Sequence, residues 1–158
     1  MPHSQKSVRL WWLLAGSWYA SGRCNVKPRV LLADDHAALR EALSELLADA
    51  TDLVGQARDG RELVESARRL SPDVVVTDMA MPQMNGLDAM RQLKAEGSTA
   101  RFIVLTVDRD PHVAKEAIRA GASGYVFKQA AGEELLDAIR RVMAGQTYLS
   151  PPMTTDLR

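Results

Sequence analysis

From Arg29 onward the chain alternates between short strand-like runs and longer stretches with helical spacing. The runs fall at 29–33, 52–57, 73–77, 101–106 and 124–127. Apolar runs of this length predict strands buried on both faces, because a half-exposed strand would alternate apolar and polar residues. Between them, Leu39, Ala42, Leu43, Leu46 and Leu47 form one apolar stripe, and Leu63, Ala67 and Leu70 form a second. Leu87, Met90 and Leu93 make a third stripe, and Val113, Ala117 and Ile118 a fourth. Leu135, Leu136, Ile139 and Val142 complete the set. Residues three and four apart share a helix face, so each stripe predicts an amphipathic helix. Gly60, Gly97, Gly121 and Gly145 punctuate the helix ends or their approaches. Five alternations of strand and helix predict an α/β domain, with a parallel sheet covered by helices on both faces.

Composition changes this picture little. The chain has 158 residues, which fits one domain, and it is 46% hydrophobic and 25% charged, which fits a globular one. Its formal net charge is zero, so nothing argues for a nucleic-acid or membrane surface. The single cysteine, Cys24, cannot form an internal disulfide, as expected of a cytoplasmic protein. No run approaches the roughly 18 apolar residues of a membrane span.

Residues 1–26 stand apart as an extension outside the domain. They hold all three tryptophans and Tyr19, and their only charges are Lys6, Arg9 and Arg23. Leu10-Trp11-Trp12-Leu13-Leu14-Ala15 is a short apolar run and Ser17 to Ala20 a poor cleavage site, so an extension upstream of the true start is favoured over a secretory leader, with a membrane-surface or partner anchor through Trp11, Trp12 and Trp18 as a further reading. The domain is expected to run over 27–145. Residues 146–158, with Pro151-Pro152, read as a linker or tail.

Three strand-like runs end in chemistry-bearing residues. Val74-Val75-Val76-Thr77 leads into Asp78, Arg29–Ala33 into Asp34-Asp35, and Arg101–Leu105 into Thr106. Ligands of open α/β sheets bind beyond the carboxyl ends of the strands. Taken singly, each residue has an ordinary reading. A lone Asp caps the next turn, Thr106 is a β-branched strand residue, and Lys128 is a solvated strand-end lysine. Together they place three carboxylates and a hydroxyl at the same end of three parallel strands. Met79, Met81, Met84 and Met90 read as packing around a turn and helix. His36 reads as a polar residue at a helix start, and His112 as exposed.

Asp34-Asp35, the segment Asp78-Met79-Ala80-Met81-Pro82-Gln83-Met84-Asn85-Gly86, Thr106, Tyr125 and Lys128 follow one family's pattern. Over about residues 27 to 149 the chain resembles a response-regulator receiver domain of two-component signalling. Its residues 129–149 resemble the LuxR/FixJ-type subfamily with a helix-turn-helix output domain. The resemblance implies a flavodoxin-like (βα)5 fold, a doubly wound parallel five-stranded sheet of order 2-1-3-4-5. It implies Asp78 as phosphoacceptor, with Lys128 and Thr106 contacting the phosphoryl group. It also implies Mg²⁺ held by Asp35, Asp78 and the backbone carbonyl of Ala80, with Asp34 acting mostly through water. Tyr125 either fills the sheet or, by resemblance, is the aromatic that moves inward when Thr106 turns. The implied partners are a sensor histidine kinase, a second copy bound weakly through the first and fifth helices, and DNA through a C-terminal domain absent from this chain. No membrane partner is implied. Gln129 stands where many members have proline, and Val107 stands where smaller residues are frequent.

The need for a cation can be argued from charge. A phosphoryl group bearing about two negative charges must approach three carboxylates, and like charges about 4 Å apart repel by roughly 4 kcal/mol per pair at an effective dielectric near 20. Mg²⁺ takes oxygen ligands and pairs carboxylates with phosphate. A phosphatase-like enzyme sharing the Asp nucleophile would need an acid–base Asp two residues further on. That position is Ala80. The expectation is therefore a non-enzymatic phosphoacceptor switch, with a stand-alone docking module as the other reading.

Overall fold

The computed structural model describes residues 27–151. The expectations for 1–26 and for the end of the tail, 152–158, lie outside the described residues. The five expected strands are β1 (Arg29–Ala33), β2 (Asp52–Ala57), β3 (Val74–Asp78), β4 (Arg101–Thr106) and β5 (Gly124–Phe127). All neighbouring pairs are parallel, and β2-β1-β3-β4-β5 is the expected order. The sheet departs from five strands at one edge. A sixth strand, β6 (Tyr148–Leu149), pairs parallel with β5 in the stretch expected to be linker.

Five helices connect the strands: α1 (Ala37–Ala48), α2 (Gly60–Leu70), α3 (Gly86–Ala95), α4 (Pro111–Arg119) and α5 (Ala131–Met143). Three of them start at a residue whose side chain accepts a backbone N–H: Asp59 from Glu62, Asn85 from Asp88 and Asp110 from His112. Such caps satisfy donors that have no partner within the helix. Gly97 (φ 91°) and Gly121 (φ 110°) follow the last turns of α3 and α4 in the left-handed region that glycine enters without steric cost.

The apolar stripes bury against opposite sheet faces. Leu43 and Leu47 of α1 join Leu135, Ile139 and Val142 of α5 over Val30, Leu32, Val76, Ile103 and Val126. Leu63 and Ala67 of α2, Leu87, Met90 and Leu93 of α3, and Ala117 of α4 cover Leu31, Val75, Phe102 and Val104. Ala42, expected in the first stripe, is exposed; it lies at the stripe's margin, beyond the reach of the core. The alternation of the central strands between two cores explains why β1, β3 and β4 read as unbroken apolar runs.

Candidate functional site

The parallel register brings the chemistry to one edge. Ala33 lies beside Thr77, Asp78 beside Leu105, and Thr106 beside Phe127, so the residues ending β1, β3, β4 and β5 converge. Asp34 follows β1 and extends its pairing, its N–H donating to the Ala57 carbonyl at 3.0 Å. Asp78 is the last residue of β3 and is 2% exposed. Lys128 follows β5 directly, on a short 3-10 turn.

The side chains meet. Lys128 Nζ lies 2.7 Å from Asp78 Oδ2 and 3.5 Å from Asp34 Oδ2. Asp78 Oδ1 accepts the N–H of Ala80 at 3.1 Å. Asp34 is fully buried; its Oδ1 accepts the N–H of His36 at 2.8 Å, while Oδ2 has no hydrogen-bond partner. Asp35 is partly exposed beside it. Ligand atoms of Asp34, Asp35, His36 and Asp78 all lie within 4.8 Å of one another.

Burial pushes the Asp78 carboxyl above its ordinary range. The Lys128 hydrogen bond and the Ala80 N–H oppose this without overcoming it, and the nearby Asp34 charge adds to it. Burial pulls Lys128 the other way, but its bond to Asp78 and the charges of Asp78 and Asp34 win, so it is held protonated. One ammonium thus faces two buried carboxylates. The site has a surplus of negative charge in a poorly solvated place, and Asp34 Oδ2 makes no hydrogen bond, the shared Lys128 ammonium being 3.5 Å away.

Thr106, buried at the end of β4, accepts the N–H of Asp108 at 2.9 Å through Oγ1. Tyr125 is fully buried in β5, and its hydroxyl donates to the Asp108 carbonyl at 3.2 Å. The two residues expected to form a switch are therefore joined through the backbone of Asp108. Val107, directly after Thr106, is 74% exposed. The sequence reading missed two residues here. His36 turns its Nδ1 to 3.0 Å from Asp35 Oδ1 and 3.3 Å from Asp34 Oδ1, and its place directly after the acid pair was the available signal. Ser150 is fully buried and accepts the Phe127 N–H at 3.0 Å, a contact that no local pattern announces.

Fold and site together define a doubly wound α/β domain with an acidic, lysine-countered centre at the carboxyl edge of its sheet. Residues 30–140 match the family described as the response regulator receiver domain. The chain belongs to that family, and is a receiver of the two-component type. It is 40% identical over 131 residues to the response regulator GacA of Pseudomonas aeruginosa, and 35% over 127 residues to the nitrate/nitrite response regulator protein NarL of Escherichia coli. It is 34% identical over 132 residues to the transcriptional regulatory protein YdfI of Bacillus subtilis. These matches cover 82%, 79% and 82% of this chain but only 61%, 59% and 62% of the relatives. The fold also matches the solved structure of a LuxR-family two-component response regulator from Aurantimonas sp. SI85-9A1. The TM-score is 0.79 at 32% identity, covering 83% of this chain and 95% of that one. The response regulator domain of Thermotoga maritima CheB matches with TM-score 0.70 at 31% identity, covering 76% and 98%. Among the described residues no helix is long and apolar enough to cross a membrane.

Proposed function

We propose that Asp78 accepts a phosphoryl group and that this covalent change is the signal the domain carries. The observation behind this is the buried Asp78 carboxylate at its strand end, held by Lys128, whose ammonium also lies 3.5 Å from Asp34 Oδ2. An Asp78 oxygen attacks phosphorus, and the bond from phosphorus to the donor's nitrogen or oxygen breaks. The leaving group takes the electron pair, and an acyl phosphate remains on the protein. The donor proposed is a sensor histidine kinase or a small acyl phosphate. The chain serves as acceptor rather than as an enzyme for a separate substrate.

The acid cluster fits a divalent cation, because Asp34 Oδ2 is buried without a hydrogen bond, with the Lys128 ammonium no nearer than 3.5 Å, and the neighbouring carboxylate atoms are close enough to share an ion. Asp34, Asp35, Asp78 and the Ala80 carbonyl would hold Mg²⁺, which when bound supplies the positive charge that lets an anionic phosphoryl group approach. Lys128 neutralises phosphoryl charge as a point cation. The Thr106 hydroxyl, which now accepts from Asp108, can rotate to donate to phosphoryl oxygen. That rotation loosens the Asp108 segment on which the Tyr125 hydroxyl also rests, so the two residues respond together. We assign the output to control of transcription in the cytoplasm, through a DNA-binding domain, in keeping with a relative named as a transcriptional regulatory protein.

Intact-mass measurement after incubation with acetyl phosphate tests this. One phosphoryl addition is expected in the parent with Mg²⁺, and none without it or in Asp78→Asn. Equal labelling of parent and variant would place the acceptor elsewhere.

A further inference from the structure

His36 occupies the cap position of α1, with extended backbone (φ −88°, ψ 105°), yet its side chain caps nothing. The corresponding residues of α2, α3 and α4 are Asp59, Asn85 and Asp110, and each accepts a helix N–H. Capping therefore does not account for a histidine here. Its ring instead turns back over the site, with Nδ1 beside both Asp35 Oδ1 and Asp34 Oδ1. The link from this residue's backbone to Asp34 is made by the N–H, which any side chain would preserve. What the imidazole alone adds is a nitrogen donor atom among three carboxylates, all within 4.8 Å of one another. The fully buried Asp34 carboxylate beside it leaves its second oxygen, Oδ2, without a hydrogen bond, the Lys128 ammonium lying 3.5 Å away.

We propose that His36 Nδ1 is a metal ligand, making this a mixed nitrogen–oxygen site that takes a late transition-metal dication such as Co²⁺, Ni²⁺ or Zn²⁺ in addition to Mg²⁺. The proposal rests on the reading of the acid cluster as a cation site. Mg²⁺ asks for oxygen ligands and gains nothing from an imidazole. Co²⁺, Ni²⁺ and Zn²⁺ accept imidazole nitrogen readily and bind mixed sets more tightly along the first-row series. One nitrogen beside three carboxylates thus changes which ion the site prefers without disturbing its fit for Mg²⁺. The neutral ring must present the bare Nδ1 to the metal, its proton residing on Nε2. Metal binding therefore replaces the contact between Nδ1 and the two carboxylates with a shared cation.

The test uses the full chain, labelled with ¹⁵N-histidine and titrated separately with Zn²⁺ and Mg²⁺, with calorimetry of Co²⁺ and Mg²⁺ binding alongside. Three histidines give three pairs of ring signals, and His3 and His112 serve as internal references. Zn²⁺ is expected to shift Nδ1 of His36 at one equivalent, and Mg²⁺ to leave that nitrogen near its starting position. In His36→Gln the ratio of Co²⁺ to Mg²⁺ affinity is expected to fall about tenfold or more, since even outer partners of ligands are worth that much. Asp35→Asn should weaken every ion. If Zn²⁺ leaves the His36 ring unmoved, or His36→Gln keeps the Co²⁺ to Mg²⁺ ratio, the proposal fails while the Mg²⁺ site stands. If no ion binds and Asp35→Asn behaves as the parent, the cation site falls and His36 with it.

Discussion

Asp78 carries an electrostatic cost within the fold. Its carboxyl is raised because burial penalises the charge more than Lys128 and the Ala80 N–H reward it. A carboxyl group with a raised pKa in the folded state binds its proton more tightly there than in the unfolded chain. Its charged form therefore subtracts stability above the folded pKa, and the loss disappears as pH falls below the unfolded value near 3.8. Asn is nearly isosteric and cannot ionise. Asp78→Asn is accordingly expected to melt above the parent at neutral pH, with the gap closing as pH drops through the raised pKa. Thermal melts of both proteins in metal-free buffer from pH 7.5 to 4 check this. A variant less stable than the parent at neutral pH would mean that the Lys128 pair outweighs burial. The charged members of the site, Asp34, Asp35, Asp78 and Lys128, were legible in sequence because each directly follows a strand-like run. The turn of His36 toward the acids was not, because a side chain's direction depends on the backbone between strand and helix.

Elements meet at contacts that the one-dimensional pattern hides. Gly86 opens α3, where a Cβ would sit 2.1 Å from the Asp78 carbonyl oxygen and 2.7 Å from Thr77 Oγ1. By helix propensity alone, Gly86→Ala should stabilise by about 1 kcal/mol or less. The clash with strand backbone that cannot yield overrides this, and a net loss of about 1–3 kcal/mol is expected from overpacking. Urea unfolding at unchanged m-value measures it, and a gain would show that α3 slides freely over β3. The edge strand gives the converse case. A two-residue strand has no period to read, so Tyr148-Leu149 looked like linker. The open edge of β5 recruits it: Tyr148 N–H donates to the Ser123 carbonyl, Ser150 N–H to the Tyr125 carbonyl, and Ser150 Oγ accepts from Phe127. The Tyr148 hydroxyl also reaches Glu134 Oε1 on α5 at 2.6 Å. Ser150→Ala leaves the buried Phe127 N–H without its partner, at an expected cost of about 1–3 kcal/mol. A loss below about 0.5 kcal/mol, the range of an ordinary surface change, would show that this bond does not hold the segment.

At the scale of the whole molecule, the alternating pattern and the strand ends yielded the sheet and its site, and family resemblance supplied the strand order, which periodicity cannot. The resemblance also implied weak self-association through the first and fifth helices. α1 and α5 cover the same face of the sheet, so the two helices expected to meet a second copy are neighbours on one side. The acids early and bases late along α5 could pair in opposed directions across a two-fold axis. Within the single chain those charges are already engaged: Asp137 holds Arg140 at 2.7 Å and Arg141 at 3.2 Å, and Glu134 accepts from Tyr148. A dimer must exchange these contacts for similar ones, and exposed pairs contribute only about 0–1 kcal/mol each. The isolated chain is therefore expected to sediment as a monomer at micromolar concentration. Beryllofluoride with Mg²⁺, standing in for the phosphoryl group proposed on Asp78, should shift it toward a weak dimer by changing the Thr106–Asp108–Tyr125 segment and the β5 edge that supports α5. Arg140→Glu with Arg141→Glu should abolish that shift. A shift that survives the double change places the interface on another face, and a monomer under both conditions at high concentration rules out self-association as the output of this domain.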